Sequence, residues 1–212
     1  MSAMTIVYQV GEGLYVNLTN RCPCACRFCI RTKGDGAYGS DSLWLEREPT
    51  VEETCAAIDA HVAGCRELVF CGFGEPTERL DALLEVARHV RGRHPDLPIR
   101  VNTNGLSDLI AGAPTAKRFE GLVDRLSVSL NAPTAEEYLA LCRPKFGLGS
   151  YDAMLKFAAE ARKYVKDVVL SVVATAELSP EKEASSGTQN QRSASTREIK
   201  SQITSIGKPA RV

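Results

Sequence analysis

The chain has 212 residues, enough for one domain around one good core. Lysine plus arginine equals aspartate plus glutamate at 26 each, so nothing in the balance favours nucleic acid or an anionic membrane as partner. Hydrophobic residues make up 44%, no apolar run could span a bilayer, and the N-terminus lacks a basic region followed by an apolar run, so a cytoplasmic protein in a reducing compartment is expected.

Leu14-Tyr-Val-Asn-Leu18 is apolar and rich in strand formers, and reads as a strand. A cysteine-rich loop starts at its end. Thr19 to Arg31 holds four of the eight cysteines. Cys22, Cys26 and Cys29 are spaced C-x3-C-x2-C, with Cys24 inside the first gap. A cube of iron and sulfide takes thiolates from several directions, and a short turning loop can supply three. Three protein ligands on four irons leave one iron open to a small molecule. The competing reading is a zinc knuckle using all four thiols, although structural zinc sites usually draw on two separated pairs. A disulfide framework fits a long intracellular chain least well.

Residues 32–49 form a long Gly-rich loop with the only tryptophan, Trp44. It either covers the cysteine loop, contacts a substrate, or is a solvated excursion. Thr50 to Glu53 is a capping box that opens a helix with Val51, Cys55, Ile58 and Val62 on one face. His61 is expected at the surface. Glu67-Leu-Val-Phe-Cys71 is a short buried strand, followed directly by Gly72-Phe-Gly-Glu-Pro-Thr77. Glycine there lets the backbone come close to a ligand. Leu80, Leu83, Leu84, Ala87 and Val90 stripe the next helix, and His89 and His94 belong to its basic end.

Pro98 to Gly105 is the third strand and its turn, ending on Asn102 and Asn104; an ordinary Asn-Gly turn is the alternative. Asp124 to Ala132 is the fourth strand. Leu126, Val128 and Leu130 alternate with Ser127, Ser129 and Asn131, which puts small polar groups on one face. That face lines a polar cofactor site, with Ser129 and Asn131 as candidates, or else meets solvent. Thr134 to Glu137 is a second capping box, Cys142 is expected to be buried, and Ser150 starts another helix. Asp167 to Val173 is a fifth strand, nearly all apolar, as in a parallel sheet covered on both sides. Residues 179–198 are polar, with the composition of a linker. Ile199, Ile203 and Ile206 at helical spacing and a weak strand over 207–212 could form a sixth unit.

Strands and helices alternate, so the sheet should be parallel with right-handed crossovers. Every motif falls at a strand end, at one rim. This order, the cysteine spacing, Phe28 before the third cysteine, Gly74-Glu75-Pro76, and the Thr103-Asn104-Gly105 element resemble the radical S-adenosylmethionine (SAM) enzymes over about residues 14–174. The resemblance implies an α/β fold, a partial (β/α)6 TIM-like barrel with parallel strands whose last unit is weakly marked. The expected domains are a barrel over 1–178 and a polar tail, or sixth βα unit, over 179–212, with the tail mobile and the barrel open on that edge.

The same resemblance implies a 4Fe-4S cluster on Cys22, Cys26 and Cys29, with SAM chelating the open iron. Reductive cleavage of SAM would then give a 5′-deoxyadenosyl radical that abstracts hydrogen from a small-molecule or protein substrate. It implies that Phe28, Gly72, Gly74, Glu75 and Pro76 lie at the cofactor, the Gly-Glu-Pro loop holding its amino end. Asn102 and Asn104 would lie near its ribose and methionine. An external electron donor is implied. On this reading Gly74→Val weakens SAM binding and leaves iron content intact. Leu14 to Pro23, Phe28 to Arg31, Phe70 to Thr77 and Ser127 to Pro133 look most like the TatD-associated members. Two alternatives remain at this level: a zinc or iron–sulfur module without catalysis, and a degenerate barrel that binds SAM without turnover.

Overall fold

A computed structural model of the chain describes residues 4–172. The tail expectations, namely the boundary at 178, the polar stretch 179–198, the isoleucine stripe and the strand over 207–212, lie outside the described residues. The described part is a six-stranded sheet whose strand order follows the chain. β1 (Val7–Val10) is antiparallel to β2 (Gly13–Val16), and β3 (Glu67–Phe70), β4 (Ile99–Thr103), β5 (Arg125–Ser129) and β6 (Asp167–Ser171) add in parallel. The five expected parallel strands are all present. Helices α1 (Val51–His61), α2 (Leu80–Arg93), α3 (Ser107–Ala111), α4 (Ala135–Cys142) and α5 (Ser150–Ala161) lie in the crossovers. Among the described residues no helix is long and apolar enough to cross a membrane.

The local signals act as their chemistry requires. Thr50 Oγ1 accepts from Glu53 N, and Glu53 accepts from Thr50 N, closing both arms of the capping box at the start of α1. At α4, Thr134 Oγ1 accepts from Glu137 N, one arm of the expected box. Leu83, Leu84, Val86, Ala87 and Val90 of α2 are almost fully buried. Burying each Leu or Val of that set is worth about 1.5–3 kcal/mol of transfer free energy.

β1 was not expected. Val10 pairs with Gly13, so Gly11 and Glu12 form a two-residue hairpin loop, with Gly11 at φ +57. In β6 Val169 is 42% exposed, and among the described residues the strand pairs with β5 alone.

In register, the half-exposed Arg100 and Asn102 share a face with Tyr15, Ser127, Ser129 and Ser171, while Ile99, Val101, Leu126 and Val128 are buried on the other. The sheet therefore has one apolar face and one polar face. The loops bearing the motifs leave it at the C-terminal strand ends, where β/α barrels place their chemistry.

Candidate metal and cofactor centre

Asn17 to Arg31 leaves β2 and is pinned on three sides. Asn17 Nδ2 donates to Leu43 O at 2.7 Å, and Asn20 exchanges two bonds with Leu45. These contacts fasten the long loop over 32–49 beside the cysteine loop. Leu43 and Ala37 pack with Tyr8 and Phe73, and Trp44 meets the Phe73 ring edge-on. The loop is thus anchored at this rim by Ala37, Leu43 and Leu45, while Tyr38 and Trp44 face solvent. Thr19 and Arg21 bond Glu48, whose carboxylate is held below its usual range despite its burial by Thr19, Arg21 and Arg79.

The far side of the cysteine loop is zipped to the end of α4. Ala25 N donates to Cys142 O, Arg27 N to Leu141 O, and Lys145 N to Pro23 O. Cys29 N donates to Cys26 O at 3.2 Å, which turns the loop between the second and third cysteines of the motif. Cys22, Cys26 and Cys29 are half-exposed, whereas Cys24 is buried. The half-buried Phe28 stands between them in sequence.

Metal ligation needs thiolates. A hydrogen bond from Cys142, then one from Cys24, lowers the Cys26 thiol to about 4. Cys22 is lowered too, first by a hydrogen bond from Cys24. Cys24 and Cys142 move the opposite way, pushed up by those same contacts and by burial. Iron–sulfur clusters are held by cysteine thiolates, and the chemistry of three thiols on one turning loop fits such a group.

The loop after β3 meets this one backbone to backbone. Glu75 N donates to Arg21 O at 2.8 Å. A Cβ on Gly74 would lie 2.1 Å from Thr19 O, and one on Gly72 would lie 2.1 Å from Asn17 Oδ1. The glycines thus make room for the chain's own cysteine loop, a partner the sequence did not name. The Glu75 side chain points inward. Oε1 accepts from Thr77 N, Thr77 Oγ1 and Thr103 Oγ1, and Oε2 accepts from Asn104 N. Its burial pushes the carboxyl upward against those four donors. Pro76, buried, starts a short 3-10 turn over Pro76–Arg79.

Glu75→Gln tests this brace. Three donors face Oε1, so the new NH2 must face the Asn104 N–H, donor against donor. The variant should lose about 1–3 kcal/mol of stability, read as a lower midpoint in urea denaturation with an unchanged slope.

Asn104 donates to Cys24 Sγ at 3.8 Å and accepts from Leu106 N, so it joins the rim. Asn102 sits lower on the polar face, where it accepts from Arg100 and bonds the Cys71 thiol. Ser129 is half-exposed on the same face. Asn131 departs from the strand alternation: at φ +60 it is buried, and its Nδ2 donates to Cys142 Sγ at 3.7 Å.

Two features went unread in the sequence. Arg100 binds Glu67 at 2.7 Å, Tyr15 Oη and Asn102 together, an ionic knot on the polar face; its parity with Asn102 was the available signal. Cys142 touches Cys26 from more than a hundred residues away, and no local pattern marks that. At the opposite, N-terminal strand ends an open hollow is lined by Glu67, Arg100, Arg125 and Asp167, already joined in the pairs Glu67–Arg100 and Arg125–Asp167. Such a lower rim serves stability.

The family model of the Radical SAM superfamily matches residues 16–182. A GTP 3',8-cyclase of Rhodococcus opacus strain B4 is 31% identical over 157 residues, 72% of this chain and 41% of that protein. Another GTP 3',8-cyclase, from Paenarthrobacter nicotinovorans, is 30% identical over 140 residues, 64% of this chain and 36% of that one. The chain thus spans little more than a third of the length of the curated relatives it matches. Among solved structures, a radical SAM methyltransferase from Sphaerobacter thermophilus superposes with a TM-score of 0.54 at 19% identity, covering 83% of this chain and 52% of that one. That likeness carries the fold.

Proposed function

Because the chain belongs to the radical SAM superfamily, we propose that it is an enzyme that carries a 4Fe-4S cluster on Cys22, Cys26 and Cys29 and cleaves SAM reductively. When bound, the cluster and SAM supply a 5′-deoxyadenosyl radical for hydrogen abstraction, after an external donor provides the electron. The observation that carries this reading is the convergence at one rim of the cysteine loop, the Gly74-Glu75-Pro76 backbone, Asn104 and Asn131.

The chain's own residues would do the rest. Phe28 shields the loop. Gly72, Gly74, Glu75 and Pro76 hold the amino end of SAM through backbone carbonyls, the Glu75 carboxylate being spent on Thr77, Thr103 and Asn104. Asn102, Asn104, Ser129 and Asn131 border its ribose and methionine. The substrate, a small molecule or a protein, meets the polar face of Tyr15, Asn102, Ser127 and Ser129. The motifs over Leu14 to Pro23 and Phe70 to Thr77 look most like those of the TatD-associated members. Eight free cysteines suit a cytoplasmic, reducing setting. A net charge of zero gives no pull toward nucleic acid or membrane.

Anaerobic reconstitution followed by a SAM-cleavage assay tests the reading. The expected product is a brown protein with four irons per chain that forms 5′-deoxyadenosine only with reductant. A colourless zinc protein would support a binding module instead. A brown protein that binds SAM without forming 5′-deoxyadenosine would support a degenerate barrel.

A further inference from the structure

The chain's charges cancel at 26 against 26, yet they are not spread evenly. From Thr19 to Gly34 there are four basic residues, Arg21, Arg27, Arg31 and Lys33, and no acidic one. From Leu141 to Tyr151 there are two, Arg143 and Lys145, and again no acidic one. The fold sets these two segments side by side. Ala25 N donates to Arg143 O at 3.3 Å, Arg27 N to Leu141 O at 3.0 Å, and Lys145 N to Pro23 O at 2.8 Å. Cations far apart in sequence thus share one surface at the cysteine loop.

Few carboxylates answer them. Glu78 lies 3.7 Å from Arg21 and 3.8 Å from Lys145, but its side chain is 10% exposed against 56% and 57% for theirs. The surface therefore shows the cations and hides that anion. Glu48 balances Arg21. Arg31 bonds Asn20 O and lies over the Trp44 ring. Arg27, Lys33 and Arg143 are exposed, and among the described residues none of the three forms an ion pair. Arg143 ends α4 at φ +47, so its place on the surface is set by the backbone. Two exposed apolar side chains, Ile30 and Leu148, belong to the same segments.

We propose that Arg27, Lys33, Arg143 and Lys145 form a docking surface for an acidic electron-transfer protein, the external donor of the electron that SAM cleavage consumes. The inference rests on the cluster reading above. Electrons pass between proteins only over short distances, so the donor must sit close to the cysteine loop. The basic segment is itself the loop that carries the half-exposed Cys22, Cys26 and Cys29. Complementary charge steers a partner onto such a surface and fixes its orientation. Isolated apolar spots among the cations suit a protein partner, whose interface has a drier centre and a polar rim. Electron-transfer encounters are weak and small, under about 1,200 Å², and lean on charge.

The test uses reduced flavodoxin, an acidic flavin protein, as the probe donor, with the reduced methyl viologen cation as the small control reductant. Cluster reduction is followed by stopped flow in reconstituted wild type and in Arg27→Glu/Arg143→Glu. The flavodoxin rate constant should fall about tenfold in the variant, and the wild-type rate should drop with added salt while the variant's stays flat. Iron content and the viologen rate should match wild type. Equal flavodoxin rates, or a viologen rate that falls in step, overturn the proposal. If the double variant does not fold, Lys33→Glu takes its place with the same readings. A second arm needs no cluster: a carbodiimide couples lysines of the cluster-free chain to flavodoxin carboxylates, and the joined peptides are read by mass spectrometry. Coupling should concentrate at Lys33 and Lys145. Coupling spread evenly over the exposed Lys117, Lys156, Lys163 and Lys166 overturns the surface. So does an oligothymidylate that binds at physiological salt more tightly than flavodoxin, which would make the patch a nucleic-acid site. Wild type that takes up no cluster overturns the cluster reading, and the coupling pattern still decides the surface.

Discussion

Cys26→Ala loses its iron. The expected result is a colourless protein after anaerobic reconstitution, with iron and sulfide at background, and the same for Cys22→Ala and Cys29→Ala. Cys24→Ala should stay brown. The reason is in the loop. Cys26 is the thiol most strongly pushed toward thiolate, to about 4, and the turn closed by Cys29 N on Cys26 O sets it opposite Cys29. With three protein ligands on four irons, removal of one leaves two irons without protein, and the cube falls apart. Formation of 5′-deoxyadenosine should fall by more than the roughly 10–100-fold that loss of an outer partner costs. Cys24 points into the protein, toward Asn104 and Tyr138, and is buried, so its removal takes away a neighbour and not a ligand. Colour, iron and sulfide lost from Cys24→Ala as fully as from Cys26→Ala would sink this ligand assignment.

Gly74→Val should lose the folded cysteine loop as well as SAM binding. The sequence predicted a local defect, with weakened SAM affinity and iron intact. The structure puts Thr19 O at 2.1 Å and Arg21 O at 2.6 Å from a Cβ at this position. Both are backbone atoms, so no rotamer change relieves the collision. The loops must part, which breaks the bond from Glu75 N to Arg21 O and unseats Thr19 to Cys22. Overpacking of this kind costs about 1–3 kcal/mol, and here more, because backbone must move. The expected readout is a lower urea midpoint and poor iron uptake in one variant. Normal iron content beside weakened SAM affinity in calorimetry would restore the simpler picture.

The sequence by itself determined the features that are local. C-x3-C-x2-C is a spacing within eight residues, and the Thr50 capping box spans four. Alternation in Leu126 to Ser129 and the leucine stripe of α2 follow from backbone period alone, so five parallel strands and the helices α1, α2, α4 and α5 were legible, whereas the short α3 was not. The hairpin of β1 carries a local signal too, Gly11-Glu12-Gly13 between two apolar runs. Only the tertiary structure decided what meets what across the chain. It tied Glu75 to Thr103 and Asn104, gave the space beside Gly74 to Thr19 and Arg21, and set Cys142 against Cys26. A side chain's partner depends on contacts between residues far apart in sequence. Those contacts form only when the sheet brings its loops to one rim, where a buried polar group must bond whatever lies nearest.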